Sequence, residues 1–200
     1  DVTAPVVTVN PVTDDNVINS SEHSQAQVIT GGSTGTQAGN LVTLVIDGNT
    51  YTTVVDASGN WSIGVPASVI KALASGDTTV TVSITDSAGN TGSADHLITV
   101  NTDAVSLSIN AIAQDDIINA AEKGSSLTIS GGSDMLASGT EVTVVFNGKS
   151  YTANVGSDGA WTLSVPATDL AAMADGNYTV TASANDAAGN PASATHNLVV

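Results

Sequence analysis

Apolar residues fall on alternate positions through most of the chain, as in Val7-Val9, Val42-Leu44-Ile46, Tyr51-Val55, Trp61-Ile63-Val65, Val80-Val82-Ile84 and Leu97-Thr99. A period of two sends neighbouring side chains to opposite faces, so each run predicts a strand with one buried side. Seven strands are expected in the first hundred residues, at 5–10, 26–31, 41–47, 50–55, 61–65, 78–85 and 94–100. Between them, Asp47-Gly48-Asn49 and Asp56-Ala-Ser-Gly-Asn60 carry tight-hairpin chemistry. One segment departs from the alternation. Pro66 opens and Gly76 closes a stretch with Val69, Ile70 and Leu73 at helical spacing, which predicts one or two helical turns.

The whole pattern then recurs 100 residues later without an insertion. Trp61 returns as Trp161, Tyr51 as Tyr151, Pro66 as Pro166, Glu22 as Glu122, and Asp86-Ser-Ala-Gly-Asn90 as Asp186-Ala-Ala-Gly-Asn190, with 38 of the 100 aligned positions identical. A fixed internal period marks a tandem array. Repeats of this size each hold their own core, unlike the short repeats of a solenoid. The boundaries expected are 1–102 and 103–200. Seven short strands around one Trp predict an all-β fold of two tandem immunoglobulin-like β-sandwich domains arranged end to end. Trp61 and Trp161 each follow a tight turn and begin an alternating strand, which makes them core anchors.

Charge narrows the function. The net charge of -16 divides evenly: eight Asp, one Glu and one Lys in the first copy, eight Asp, two Glu and two Lys in the second. Arginine is absent, and an acidic surface repels phosphate, so nucleic acid is excluded as a partner and anionic membranes are disfavoured. No apolar run is long enough to span a bilayer, so no direct membrane insertion is expected. Cysteine is absent, which removes disulfides, thiolate catalysis and Cys-zinc sites. The chain reads as part of a longer polypeptide. His96 and His196 recur without a second His or a Cys at ligand spacing, so no metal role is given to histidine.

Strand parity gives the carboxylates a place. Seven alternating strands put entry and exit at opposite ends of a domain, so the exit end of the first copy faces the entry end of the second. Three groups then converge on the junction: Asp14, Asp15, Asn19 and Glu22; Asn101 and Asp103 in the connection; and Asp186 with Asn190. The outer ends repeat the arrangement with Asp1, Asp86 and Asn90, and with Asp115, Asp116, Asn119 and Glu122. Calcium takes six to eight oxygens from such groups, and it is the cofactor these loops suit. Asp-x-x-Gly-Asn also makes an ordinary turn in which Asp accepts backbone bonds. No EF-hand is present, because Asp56, Ser58 and Asn60 lack the following Glu and the second copy has Gly156 in place of Asp56. Gln114 replaces Asp14, which makes Asp15 and Asp115 the safer ligands of the pair.

The combination of Thr3-Ala4-Pro5, Asp-Asp-x-Ile-Asn-x-x-Glu, Gly-x-x-Tyr-Thr, Gly-x-Trp and Asp-x-Ala-Gly-Asn resembles the bacterial Ig-like extender repeats of giant secreted repeats-in-toxin adhesins. It covers essentially all 200 residues. The resemblance implies a stalk of many such domains on a Gram-negative cell surface, type I secretion, and Ca²⁺ rigidifying the linkers. It maps the linker ions onto Asp1, Asp86, Asp103 and Asp186, with the Asp15/Glu22 and Asp115/Glu122 loops. Position 5 is Pro, whereas its counterpart is Val105, so that stiffening element is missing from the internal linker.

The function expected is therefore a non-catalytic spacer, a monomer whose partners are neighbouring Ig-like repeats of the same polypeptide. The alternative is a ligand- or glycan-binding module, for which six aromatics and one strongly divergent loop, at positions 33 to 38, are slender means. Catalysis has no support: no Ser-His-Asp or Cys-His set is suggested, and adjacent Asp14-Asp15 side chains point apart.

Overall fold

The computed structural model describes residues 1–200. It divides into two compact units, Asp1–Thr102 and Asp103–Val200. The first unit contains β1 (Val6–Val9), β2 (Val17–Ile18), β3 (Gln27–Thr34), β4 (Leu41–Ile46), β5 (Asn49–Val54), β6 (Asn60–Val65), α1 (Ala67–Ala72), β7 (Gly76–Thr85) and β8 (Thr91–Val100). One sheet has the order β1-β3-β6 and the other β2-β8-β7-β4-β5. The second unit contains β9 (Ser106–Ile109), β10 (Leu127–Asp134), β11 (Glu141–Phe146), β12 (Lys149–Asn154), β13 (Trp161–Val165), α2 (Ala167–Ala171), β14 (Asn177–Asn185) and β15 (Pro191–Val199). Its sheets are β13-β10-β9 and β12-β11-β14-β15. The all-β sandwich expected from the alternation is the fold observed, and the helical turns after Pro66 and Pro166 form as the spacing predicts.

One element differs from expectation. The acidic segment 14–22 was expected to be a loop, yet Val17 and Ile18 pair in parallel with Thr99 and Val100 as an eighth strand. In the second unit the same contact is a single bridge, Ile117 to Val199. Two residues are too few to show a period, so the pattern could not reveal it. The pairing still fixes a pole: the segment 16–18 lies beside the end of β8. At the opposite pole Gly92 meets the chain entry, where a Cβ would stand 1.8 Å from the Pro5 carbonyl oxygen. Entry and exit of this unit are therefore at opposite ends.

The core centres on the tryptophans. Trp61 and Trp161 are 3% and 2% exposed. Each indole lies against a glycine on the neighbouring strand: a Cβ on Gly31 would approach Trp61 Cζ2 to 2.4 Å, and one on Gly131 would approach Trp161 Cζ2 to 2.5 Å. Core volumes compensate between copies. The second unit places Phe146, edge-on to Tyr178 at 6.2 Å, where the first has Ile46 and Thr78, and it carries Ala182 and Ala184 in place of Val82 and Ile84. A close-packed interior demands such exchanges, because added methylenes are destabilising unless others leave.

Turn chemistry is equally direct. Asp47 and Gly48 have φ of 45° and 74°, Asn147 and Gly148 of 49° and 74°, the left-handed pair that a two-residue hairpin needs. Met135 is less expected. It holds φ 62° where the first copy has Gly35 at 74°, a conformation costing a non-glycine residue roughly 1–2 kcal/mol.

The Pro5–Gly92 contact makes a specific prediction. In the second copy both partners differ, as Val105 and Ala192. Gly92→Ala is expected to destabilise the first unit by about 1–3 kcal/mol through overpacking. Adding Pro5→Val should relieve part of that cost, giving a non-additive double mutant in calorimetric melting.

Candidate metal sites at the acidic loops

At the entry pole of the first unit, the loop after β7 is built by its own aspartate. Asp86 Oδ1 accepts the amides of Ala88 at 2.9 Å and Asn90 at 2.8 Å, while Oδ2 accepts the Asn90 side-chain amide at 3.0 Å. Gly89 supplies φ 90°. The Asn90 side-chain bond, followed by the backbone donors, holds the Asp86 carboxyl below its ordinary value of 3.8. Asn90 Nδ2 also reaches the Asp1 carbonyl at 3.3 Å. Asp1, Gln37, Asn40 and Asp86 thus line a shallow depression of about 290 Å³. Its donors are oxygens and amides, of the kind a hard cation accepts.

The second copy repeats the loop with Asp186 Oδ1 accepting the Asn190 amide at 2.7 Å and Oδ2 its side chain at 2.9 Å. Asn190 is 1% exposed, the one buried polar residue. Asp103 is exposed, and Asn101 donates its amide to the Ile18 carbonyl at 2.9 Å.

The segments at the other pole are more self-contained than their acidity suggests. Glu22 Oε2 accepts the Asn19 amide at 3.0 Å, and Asn19 Oδ1 accepts the amides of Ser21 and Glu22, both at 3.0 Å. This is the reciprocal box used at helix starts, here opening the short turn Glu22–Ser24. Asn119 and Glu122 reproduce it bond for bond. Asp15 Oδ1 accepts the Val17 amide at 2.9 Å, and Asp115 Oδ1 accepts that of Ile117 at 3.0 Å. Asp14 sits at φ 70° and is exposed. No three His, Asp or Glu side chains are grouped as a metal cluster.

Asp116 belongs to a clasp that sequence reasoning did not find. Its Oδ1 accepts the Ile112 amide at 2.8 Å and meets His196 Nε2 at 2.7 Å. The Ile112 bond first, then His196, keeps the Asp116 carboxyl below its usual value. In the first copy Asn16 makes the same two contacts, with Val12 at 2.9 Å and His96 at 2.6 Å. The available signal was that both histidines recur while position 16 changes only between two oxygen acceptors. A second missed group is confined to unit two. Asp169 on α2 is bonded by Lys149 and by the Tyr151 hydroxyl, the latter at 2.6 Å. Those bonds, Lys149 first, lower the Asp169 carboxyl, while burial and Asp169 push the Tyr151 phenol up to about 12.

The sequence model of the bacterial Ig-like domain matches residues 12–104 and again 108–200. The chain belongs to that family. Both Ig-like domains are covered by structures of adhesins. One is of a 1.5-MDa bacterial ice-binding adhesin described for host cell surface retention, 33% identical over 100% of this chain with a TM-score of 0.58. Another is a Ca²⁺-stabilized adhesin with which an Antarctic bacterium reaches out and binds ice, 37% identical over 100% of this chain, also with a TM-score of 0.58. The present chain spans 65% and 49% of those two chains. Fibronectin(III)-like modules of Clostridium thermocellum CbhA share the fold at 12% identity and a TM-score of 0.56. A comparison with curated protein sequences returns no match. No helix is long and apolar enough to cross a membrane.

The loop geometry sets the sign of an acid effect. Because the folded Asp86 carboxyl titrates below 3.8, its stabilisation is present above the ordinary carboxylate range and is lost as pH falls through the lower folded value. Melting of the first domain from about pH 5 to about pH 2 should therefore show an acid loss that shrinks in Asp86→Asn. An unchanged acid profile in that variant would contradict the assignment.

Proposed function

We propose that the two Ig-like domains are non-catalytic spacers in the stalk of a bacterial surface adhesin, with Ca²⁺ at the linkers stiffening the tandem. Support comes foremost from the identity, over the whole chain, to two adhesins, one of them Ca²⁺-stabilized. The acidic loops add donor chemistry of the right kind. At the linkers the residues that would hold the ion are Asp1, Asp86 and Asn90 for one, and Asn101, Asp103, Asp186 and Asn190 for the next, joined from the preceding exit loop by Asp14, Asp15, Asn19 and Glu22. Asp115, Asp116, Asn119 and Glu122 would serve a following repeat.

Asp1, Asp15, Asp86, Asp115, Asp116 and Asp186 already accept local backbone amides, yet a carboxylate oxygen carries two lone pairs and can accept an amide while facing a cation. Calcium would supply the positive charge that lets like-charged loops of successive domains approach. For a site of ~0.1 mM affinity at ~100 times that calcium, mass action adds about 2.7 kcal/mol. The domains act through reach rather than chemistry, holding a distal adhesive part away from a Gram-negative cell surface after type I secretion. Neighbouring repeats of the same polypeptide are the partners, and the tandem is a monomer.

Small-angle scattering checks the reading. The maximum dimension should be larger and the profile more rod-like in millimolar calcium than in chelator. Asp103→Ala should lose that response while each domain melts as before. Identical profiles with and without calcium would sink the stiffening role.

A further inference from the structure

The chain has two sulfur atoms, both thioethers, and no cysteine. Their surroundings are opposite. Met173 is 4% exposed and packs in the core of the second domain beyond α2. Met135 is 57% exposed in the connection between β10 and β11. That connection leaves β10 where Asp134 pairs with Ser106, at the start of β9, and so lies at the entry pole of the domain. The neighbouring Leu136 is buried and fastens the loop, whereas Met135 at φ 62° turns its side chain outward. The first copy has glycine at this position, so the fold asks nothing of the side chain here.

We propose that Met135 is the oxidant-reactive site of the chain, taking one oxygen atom from a peroxide while the fold stays intact. In the step, the thioether sulfur attacks one peroxide oxygen and the O–O bond breaks. The sulfur is oxidised by two electrons to the sulfoxide, and the peroxide is reduced, its second oxygen leaving as water. Sulfoxide formation makes a flexible apolar side chain polar and disrupts cores where it occurs in them. At Met135 the polar product forms on a side chain that is 57% exposed and lies outside the buried core cluster. At Met173 it would put a dipole among Phe146, Trp161 and Leu170, but the core keeps peroxide out. Exposure thus directs oxidation to the harmless sulfur.

The test is dilute hydrogen peroxide on the intact two-domain chain, followed by mass spectrometry with peptide mapping and by thermal melting. A single added oxygen on Met135 is expected, at least tenfold faster than on Met173, with both melting transitions unchanged at that stage. In denaturant the two rates should become equal, and Met135→Gly, the residue the first copy carries, should abolish the fast phase. Native rates for Met173 within a few-fold of Met135, or unfolding that accompanies the first oxygen, would overturn the proposal.

Discussion

The fold of each domain hangs on an indole laid against a strand that has no side chain to offer it. Gly31 and Gly131 are cross-strand partners of Trp61 and Trp161, and a Cβ on either would overlap the ring and also stand about 2 Å from a β1 or β9 carbonyl oxygen. That contact lets the indole lie flat over its own three-stranded sheet on the side that faces the core. The surrounding core adjusts to it: Phe146 with Ala182 and Ala184 in one copy, Ile46 with Val82 and Ile84 in the other. The Trp161 ring nitrogen donates to the Gly132 carbonyl at 3.2 Å, while the Trp61 nitrogen is buried without a partner. Packing holds the ring in both cases, and the hydrogen bond is an addition rather than a requirement.

Outside the core, acidic side chains substitute for sheet. Asp56 Oδ1 gathers the amides of Ser58 and Asn60, as Asp86 does for its own loop. Where Gly156 has lost that carboxylate, Asp158 moves in to accept the Ala160 amide at 3.1 Å. The charge of -8 per domain is thus tied in part to turn geometry.

Much of this was legible in advance. Strict alternation located every long strand, Asp-Gly and Asn-Gly placed the β4–β5 and β11–β12 hairpins, and Pro66 announced the helical turn. The tight turn Asp56–Asn60, expected as a hairpin, instead carries the chain from β5 in one sheet to β6 in the other, because turn chemistry fixes a reversal but not the strand it pairs with. Val17-Ile18 escaped because two residues have no period, and their partner lies about eighty positions away. The clasps from Asn16 to His96 and from Asp116 to His196 escaped for the same reason: a bond across that separation leaves no local spacing. Asn19-x-x-Glu22 was visible but read by charge alone, when its spacing also spells a reciprocal box. Lys149 and Asp169 replace Asn49 and Val69 together, a paired change that only the structure shows to be a contact.

The fit between the entering chain and β8 has a consequence for how such arrays can be rearranged. Pro5 meets Gly92, the second copy has Val105 and Ala192 at those positions, and the two positions lie at nearly opposite ends of the repeat's sequence. Exchange of whole repeats by recombination keeps each pair together. A crossover inside a repeat separates them, and the hybrid that joins a Pro5-type entry to an Ala192-type strand would drive a methyl group into a carbonyl oxygen. A mosaic that joins a Pro5-type entry to an Ala192-type strand therefore begins with a defect in the seam where the chain enters, which exchange of a complete period does not introduce.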